Sequence, residues 1–130
     1  MSGDPPKVLV VEDNVLNLEL ATELLSARGY VVLGARTAEE GLRLARQEHP
    51  ALILLDIRLP GMDGLAAVRV LKRNVETRAI PTVAMTAQAM SGDEQAALAA
   101  GFDAYVAKPI DTRAFPEFVA KLLEEKRGAR

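Results

Sequence analysis

The sequence has no cysteine and a single histidine. Without cysteine there is no disulfide frame, no thiolate metal site and no thiol nucleophile. His49 stands before Pro50, outside any metal-ligand spacing, and reads as a loop residue. No apolar stretch approaches the ~20 residues that span a bilayer. Met1 to Pro6 lack the basic start and apolar segment of a secretory signal. A net charge of −2 leaves no basic footprint for nucleic acid. These absences predict a cytoplasmic domain that touches neither membrane nor nucleic acid directly.

What is present is an ordinary globular composition. The 130 residues are 49% hydrophobic and 26% charged, and such a length fits one domain able to bury roughly two thirds of its unfolded surface. The pattern along the chain is strand, helix, strand, helix. Lys7 to Val11 is an apolar, β-branched run, read as a first strand and stopped by Glu12-Asp13-Asn14. Helical spacing follows at Val15, Leu18, Ala21 and Leu25, with Gly29 as the stop signal. Tyr30 to Leu33 is a second strand. Thr37-Ala38-Glu39-Glu40 is a capping box opening a second helix, with Ala38, Leu42 and Ala45 on its inner face. Ala51 to Leu55 is a wholly apolar run ending in Asp56, the pattern of a strand buried on both faces. Pro60, Gly61 and Gly64 mark a loop, and Leu65, Val68 and Leu71 continue as a third helix. Thr82 to Met85 is a fourth strand ending at Thr86. Asp93 to Ala100 is a short alanine-rich helix closed by Gly101. Ala104 to Ala107 is a fifth strand ending at Lys108-Pro109. A last helix, capped by Asp111 or Thr112, carries Phe115, Phe118, Val119, Leu122 and Leu123. Pro116 predicts either a start near Arg113 or an irregular first turn. The charged segment from Glu124 to Arg130 is expected to fray.

Five such units predict an α/β fold with a parallel sheet covered by helices on both faces. The expected strand order is 2-1-3-4-5, the flavodoxin-like doubly wound arrangement. Ligands then bind at the carboxyl ends of the strands, beside the switch between strands 1 and 3. At those ends stand Glu12-Asp13, Asp56, Thr86 and Lys108. Lys108 lies about two strand spacings, ~10 Å, from the Asp56 strand, a gap a lysine stem can largely cover. Glu12, Asp13 and Asp56 cannot all stay ionised together without a compensating cation. Lys108 supplies one positive charge. A hard divalent ion such as Mg²⁺, which takes carboxylates, waters and a phosphate, would supply two more. A flavin or nucleotide phosphate on the first loop is disfavoured, because Glu12 and Asp13 would repel it. The missing Gly-x-Gly after strand 1 also removes a dinucleotide site.

In order and spacing, Glu12-Asp13, Asp56 with Pro60-Gly61-Met62-Asp63-Gly64, Thr86-Ala87 and Lys108-Pro109 resemble the response-regulator receiver family of bacterial two-component signalling. The resemblance spans about Lys7 to Leu123. Glu12-Asp13-Asn14 with Asn17, and Met85 to Glu94, look most like its single-domain cell-cycle regulators. The resemblance implies that Asp56 accepts a phosphoryl group. It implies that Asp13, Asp56 and the main-chain carbonyl of Arg58 ligate Mg²⁺, with Glu12 holding the ion through water. It implies that Lys108 pairs with a phosphoryl oxygen and that Thr86 donates its hydroxyl to another. Tyr105 matches an aromatic that changes rotamer with the switch, and Lys108-Pro109 is expected to be cis. Arg58 and Gln88 are expected to tune the lifetime of the phosphoryl group. Gly64 is expected to relieve backbone strain near the site.

The expected protein is a stand-alone receiver, residues 1–130, with no effector domain. It would be charged by a histidine kinase or histidine phosphotransfer protein and would signal to a protein partner through helix 4, strand 5 and helix 5. It is not expected to be an enzyme acting on an external substrate, although it would catalyse its own phosphorylation and slow dephosphorylation. Three alternatives stay open at this point: a phosphate-independent adaptor, a receiver fragment of a hybrid histidine kinase, and an aspartyl-nucleophile phosphohydrolase. The last is disfavoured because Arg58 stands where such enzymes carry a second acid.

Overall fold

A computed structural model of the chain describes residues 4–87 and 93–128. Five strands, β1 (Lys7–Val11), β2 (Val31–Ala35), β3 (Leu52–Asp56), β4 (Thr82–Thr86) and β5 (Ala104–Ala107), alternate with five helices, α1 (Val15–Ser26), α2 (Ala38–Glu48), α3 (Gly64–Arg73), α4 (Asp93–Ala100) and α5 (Ala114–Gly128). All strand pairs are parallel, and the order is β2-β1-β3-β4-β5. The expected fold class and strand order are therefore correct.

The strands alternate between two cores, as a period of two requires. Leu9, Val11, Ile53, Leu55 and Ala84 face the side packed by Leu42, Ala45, Val68, Leu71 and Ala97 of α2, α3 and α4. Val8, Val10, Leu52, Leu54, Val83 and Met85 face Ala21, Leu25, Phe115, Val119 and Leu123 of α1 and α5. Every residue of β3 and of β4 is buried. That explains why Leu52 to Leu55 and Val83 to Met85 are apolar at every position rather than at alternate ones.

Local chemistry sets the helix ends. Asn14 Oδ1 accepts from the Asn17 backbone N–H and caps α1, so Asn14 serves helix shape. α1 closes around Gly29 in a left-handed conformation, φ +89°. There the Gly29 N–H reaches Ser26 O and the Tyr30 N–H reaches Leu25 O, the paired bonds of a Schellman stop. Thr37 caps α2 through the Glu40 N–H. Glu40 reaches back one residue further than the expected box, accepting from the Arg36 N–H. His49, with φ 48°, is the left-handed cap of α2.

Two expectations need adjustment. β2 extends beyond Leu33 through Gly34 to Ala35, because Val10 and Val11 of β1 continue the ladder. α5 does not dissolve at Glu124 but runs to Gly128. Its start resolves the Pro116 question: Asp111 O already accepts from the Phe115 N–H, but proline has no N–H to give Thr112. Regular helix therefore begins at Ala114. Gln88, together with Ala89 to Gly92, lies outside the described residues.

Gly64 was expected to relieve strain, but the reason it is glycine is space. A Cβ there would lie 2.3 Å from Asp56 O and 2.7 Å from Ile57 Cα. The Gly64 N–H donates to Ile57 O at 2.8 Å, drawing the start of α3 against the end of β3. Gly64→Ala is expected to lower stability by about 1–3 kcal/mol through overpacking against backbone, read as a fall in the urea midpoint.

Asp111 offers a second test. Its Oδ1 accepts from the Ala114 and Arg113 N–H groups at 2.8 and 2.9 Å. Those bonds, in that order of weight, hold its carboxyl below the ordinary 3.8. A carboxyl whose folded pKa is depressed stabilises the fold above its unfolded pKa and loses that contribution as pH falls through the folded value. Asp111→Asn keeps a capping oxygen but cannot titrate. The stability advantage of the native chain over this variant should shrink between about pH 5 and about pH 2, as followed by thermal unfolding.

Candidate functional site

Parallel strands end on the same side of a sheet, so side chains far apart in sequence meet there. β1 delivers Glu12 and Asp13 just past Val11, β3 delivers Asp56 as its last residue, and β4 ends in Thr86. Lys108 follows β5 and is fixed by its own N–H on Thr86 O at 2.8 Å. The Lys108-Pro109 peptide is cis, as expected. Asp56 sits opposite Met85 in the ladder, and Met85 O accepts the Ile57 N–H at 3.1 Å. β4 therefore holds the main chain at Asp56 and just beyond it.

Carboxylate oxygens of Glu12, Asp13 and Asp56 lie within 4.8 Å of one another. Lys108 crosses the two strand spacings and donates to Asp56 Oδ2 at 2.8 Å. The same ammonium lies 2.9 Å from Glu12 Oε1. The other oxygen of each acid meets backbone: Asp56 Oδ1 accepts from the Arg58 N–H at 3.0 Å and Glu12 Oε2 from the Asn14 N–H at 3.1 Å. Glu12 and Asp56 are only 2% and 4% exposed, so these contacts replace water.

The electrostatics follow from this crowding. Burial, and then the charge of Asp56, push the Glu12 carboxyl up, against the pull of Lys108 and the Asn14 N–H. Burial also works against the charge on Lys108. Its hydrogen bonds to Asp56 and Glu12, and their negative charges, outweigh that and raise its pKa above 10.5. The lysine therefore stays charged across the neutral range. Three carboxylates still face one ammonium.

Glu12, Asp13, Asp56 and Lys108 thus come together as their strand positions require. The Arg58 main chain lies against them, and Thr86 is buried at the neighbouring strand end. Tyr105 is not in the cluster. It is 37% exposed on the edge strand β5 and lines a groove of about 380 Å³ with Pro109, Phe115 and Phe118. Lys108 supplies its positive charge to the acids as expected, bridging Asp56 and Glu12 with no phosphoryl group present. One residue, Arg36, escaped the sequence reading. The Arg36 guanidinium donates to Asp13 O at 3.2 Å from the loop between β2 and α2, a loop whose only sequence signal was the helix cap that follows.

Comparison with known proteins agrees with this geometry. The family model for the response regulator receiver domain matches residues 8–120. The chain is 45% identical over 116 residues to the polar-differentiation response regulator DivK of Brucella ovis, covering 89% of this chain and 94% of that one. A CheY-like response regulator receiver domain protein from Methanospirillum hungatei superposes with a TM-score of 0.88 at 29% identity, over 97% of this chain and 99% of the other. The receiver domain of a Pseudomonas aeruginosa sensor histidine kinase, solved with a magnesium ion coordinated in its active-site cleft, gives 0.86 at 31% identity over 92% and 98%. With the matched region running through all four strand ends, the chain belongs to the response regulator receiver family.

Proposed function

We propose that the chain is a phosphoryl-accepting switch of the cytoplasm in which Asp56 takes the phosphoryl group from a histidine kinase or histidine phosphotransfer protein. The observation that carries this reading is the environment of Asp56: a buried carboxylate at a strand end, held by the Arg58 N–H and by Lys108 within a cluster of acids. A carboxylate oxygen of Asp56 attacks phosphorus, the bond to the donor nitrogen breaks, and a mixed anhydride forms. Slow attack by water on the same phosphorus returns the free carboxylate. Lys108 is at hand to pair with a phosphoryl oxygen. The buried Thr86 ends the neighbouring strand, where its hydroxyl can serve a second oxygen.

The residues fit a magnesium ion. Glu12 Oε1 is buried and faces the Lys108 ammonium 2.9 Å away, an ammonium it shares with Asp56. The donor set is all oxygen, and its charge exceeds what one lysine neutralises. In this reading Asp13, Asp56 and the main-chain carbonyl of Arg58 hold the ion, and Glu12 acts through water. When bound, the ion would offset charge building on the phosphoryl oxygens.

Phosphorylation adds roughly −1.5 to −2 charge and three acceptor oxygens. Thr86 and Lys108 then share new acceptors. Through them β4, β5 and Tyr105 are coupled to the face formed by α4, β5 and α5, where a protein partner docks. A shift from 1:99 to 99:1 takes about 5.5 kcal/mol; a new Thr86 bond to the charged group supplies ~1.5–3 kcal/mol of it, while Lys108 exchanges an acceptor it already holds and adds only the difference.

Asp56→Asn should abolish incorporation of radiolabelled phosphoryl group from a kinase or a small phosphodonor with Mg²⁺. Undiminished labelling would refute Asp56 as the acceptor. Thr86→Ala should still be phosphorylated but should lose most of the phosphorylation-dependent change at Tyr105. Tyrosine fluorescence or aromatic NMR reads that change, and an unaltered response would remove Thr86 from the switch.

A further inference from the structure

The turn that carries Asp13 is held at three points. The Glu12 N–H donates to Ala35 O at 2.9 Å, extending the β1–β2 ladder by one step. The Asn14 N–H donates to the Glu12 side chain, and Asn14 O accepts the first helical bond from Leu18. Between them, the Asp13 carbonyl is gripped by a side chain from another element, the guanidinium of Arg36. Arg36 is itself anchored: its own N–H donates to Glu40 Oε1 at 3.1 Å, and Glu40 in turn sits on the Thr37 cap of α2. A chain of hydrogen bonds thus runs from the first turn of α2 to the peptide unit of Asp13.

We propose that Arg36 is a positioning residue for the site: by fixing the Asp13 peptide it aims the Asp13 carboxylate at the Mg²⁺ position. This rests on the reading of Asp13 as a ligand. Groups that orient a metal ligand without touching the metal commonly matter for affinity almost as much as the ligand. Arg36 also carries a positive charge close to the acids. Charge alone opposes a bound cation, so the two roles predict opposite signs. If charge dominated, removing Arg36 would tighten Mg²⁺ binding. If positioning dominates, removing it weakens binding.

The test is calorimetric titration of MgCl₂ into the native chain, Arg36→Ala and Arg36→Lys, with thermal unfolding as a control for folding. Arg36 is exposed, so the variants should fold. Arg36→Ala is expected to weaken Mg²⁺ binding roughly three- to tenfold, below the ~10–100-fold typical of such groups because its hydrogen bond is solvated. Arg36→Lys, which keeps a donor and the charge, is expected to recover most of the loss. Equal or tighter binding by Arg36→Ala overturns the positioning role. If the native chain itself binds no Mg²⁺, the reading of Asp13 as a ligand falls, and the inference falls with it.

Discussion

One ammonium group stands between two buried carboxylates, and much of the molecule is arranged around that fact. Lys108 Nζ lies 2.8 Å from Asp56 Oδ2 and 2.9 Å from Glu12 Oε1. The lysine comes from the far end of the sheet and the acids from its middle, so their meeting requires β1, β3, β4 and β5 in this order and register. A one-residue slip of any of these strands would turn a charge into the hydrophobic layers. Such a slip would cost far more than a surface ion pair could return. The polar cluster can therefore be afforded only at the strand ends, where the sheet stops and loops supply N–H groups.

Those loops satisfy the acids through backbone rather than side chains. The Arg58 N–H serves Asp56 and the Asn14 N–H serves Glu12, each two residues past its acceptor, so a tight turn after the strand is enough. This geometry forces α3 so close to β3 that only glycine fits at position 64. It also leaves one oxygen of each buried acid for Lys108 and, in the proposed reading, for a cation.

Fold and site were legible in the sequence to different depths for physical reasons. β3 and β4 were legible because strands buried on both faces leave apolar stretches without alternation, Leu52 to Leu55 and Val83 to Met85. Asp56 was conspicuous because a charge closing such a run is costly. Lys108, Thr86 and Glu12 became legible only once the strand order placed their ends together. β2 was read two residues short, because Gly34 carries no strand signal and its place comes from pairing with Val10. The space filled by Gly64 could not be read either, since its sequence context signals a turn and not a collision. Arg36 was invisible for a different reason. Its partner is a backbone carbonyl, and no residue type advertises that.

The charge count gives the site a direction of change. Three carboxylates face one ammonium, and that ammonium is already divided between Glu12 and Asp56. Burial and the neighbouring charge of Asp56 hold the Glu12 carboxyl up, against the pull of Lys108 and the Asn14 N–H. A phosphoryl group on Asp56 would turn one carboxylate oxygen into an anhydride and place greater negative charge a bond length further out. Lys108 then has reason to follow that charge and leave Glu12. Its main chain is tied to Thr86 O, so movement of the lysine and movement at the end of β4 are joined by one hydrogen bond. In the proposed reading the route from Asp56 to the outer face of β5 would be short, from Lys108 to Pro109, which lines the same groove as Tyr105.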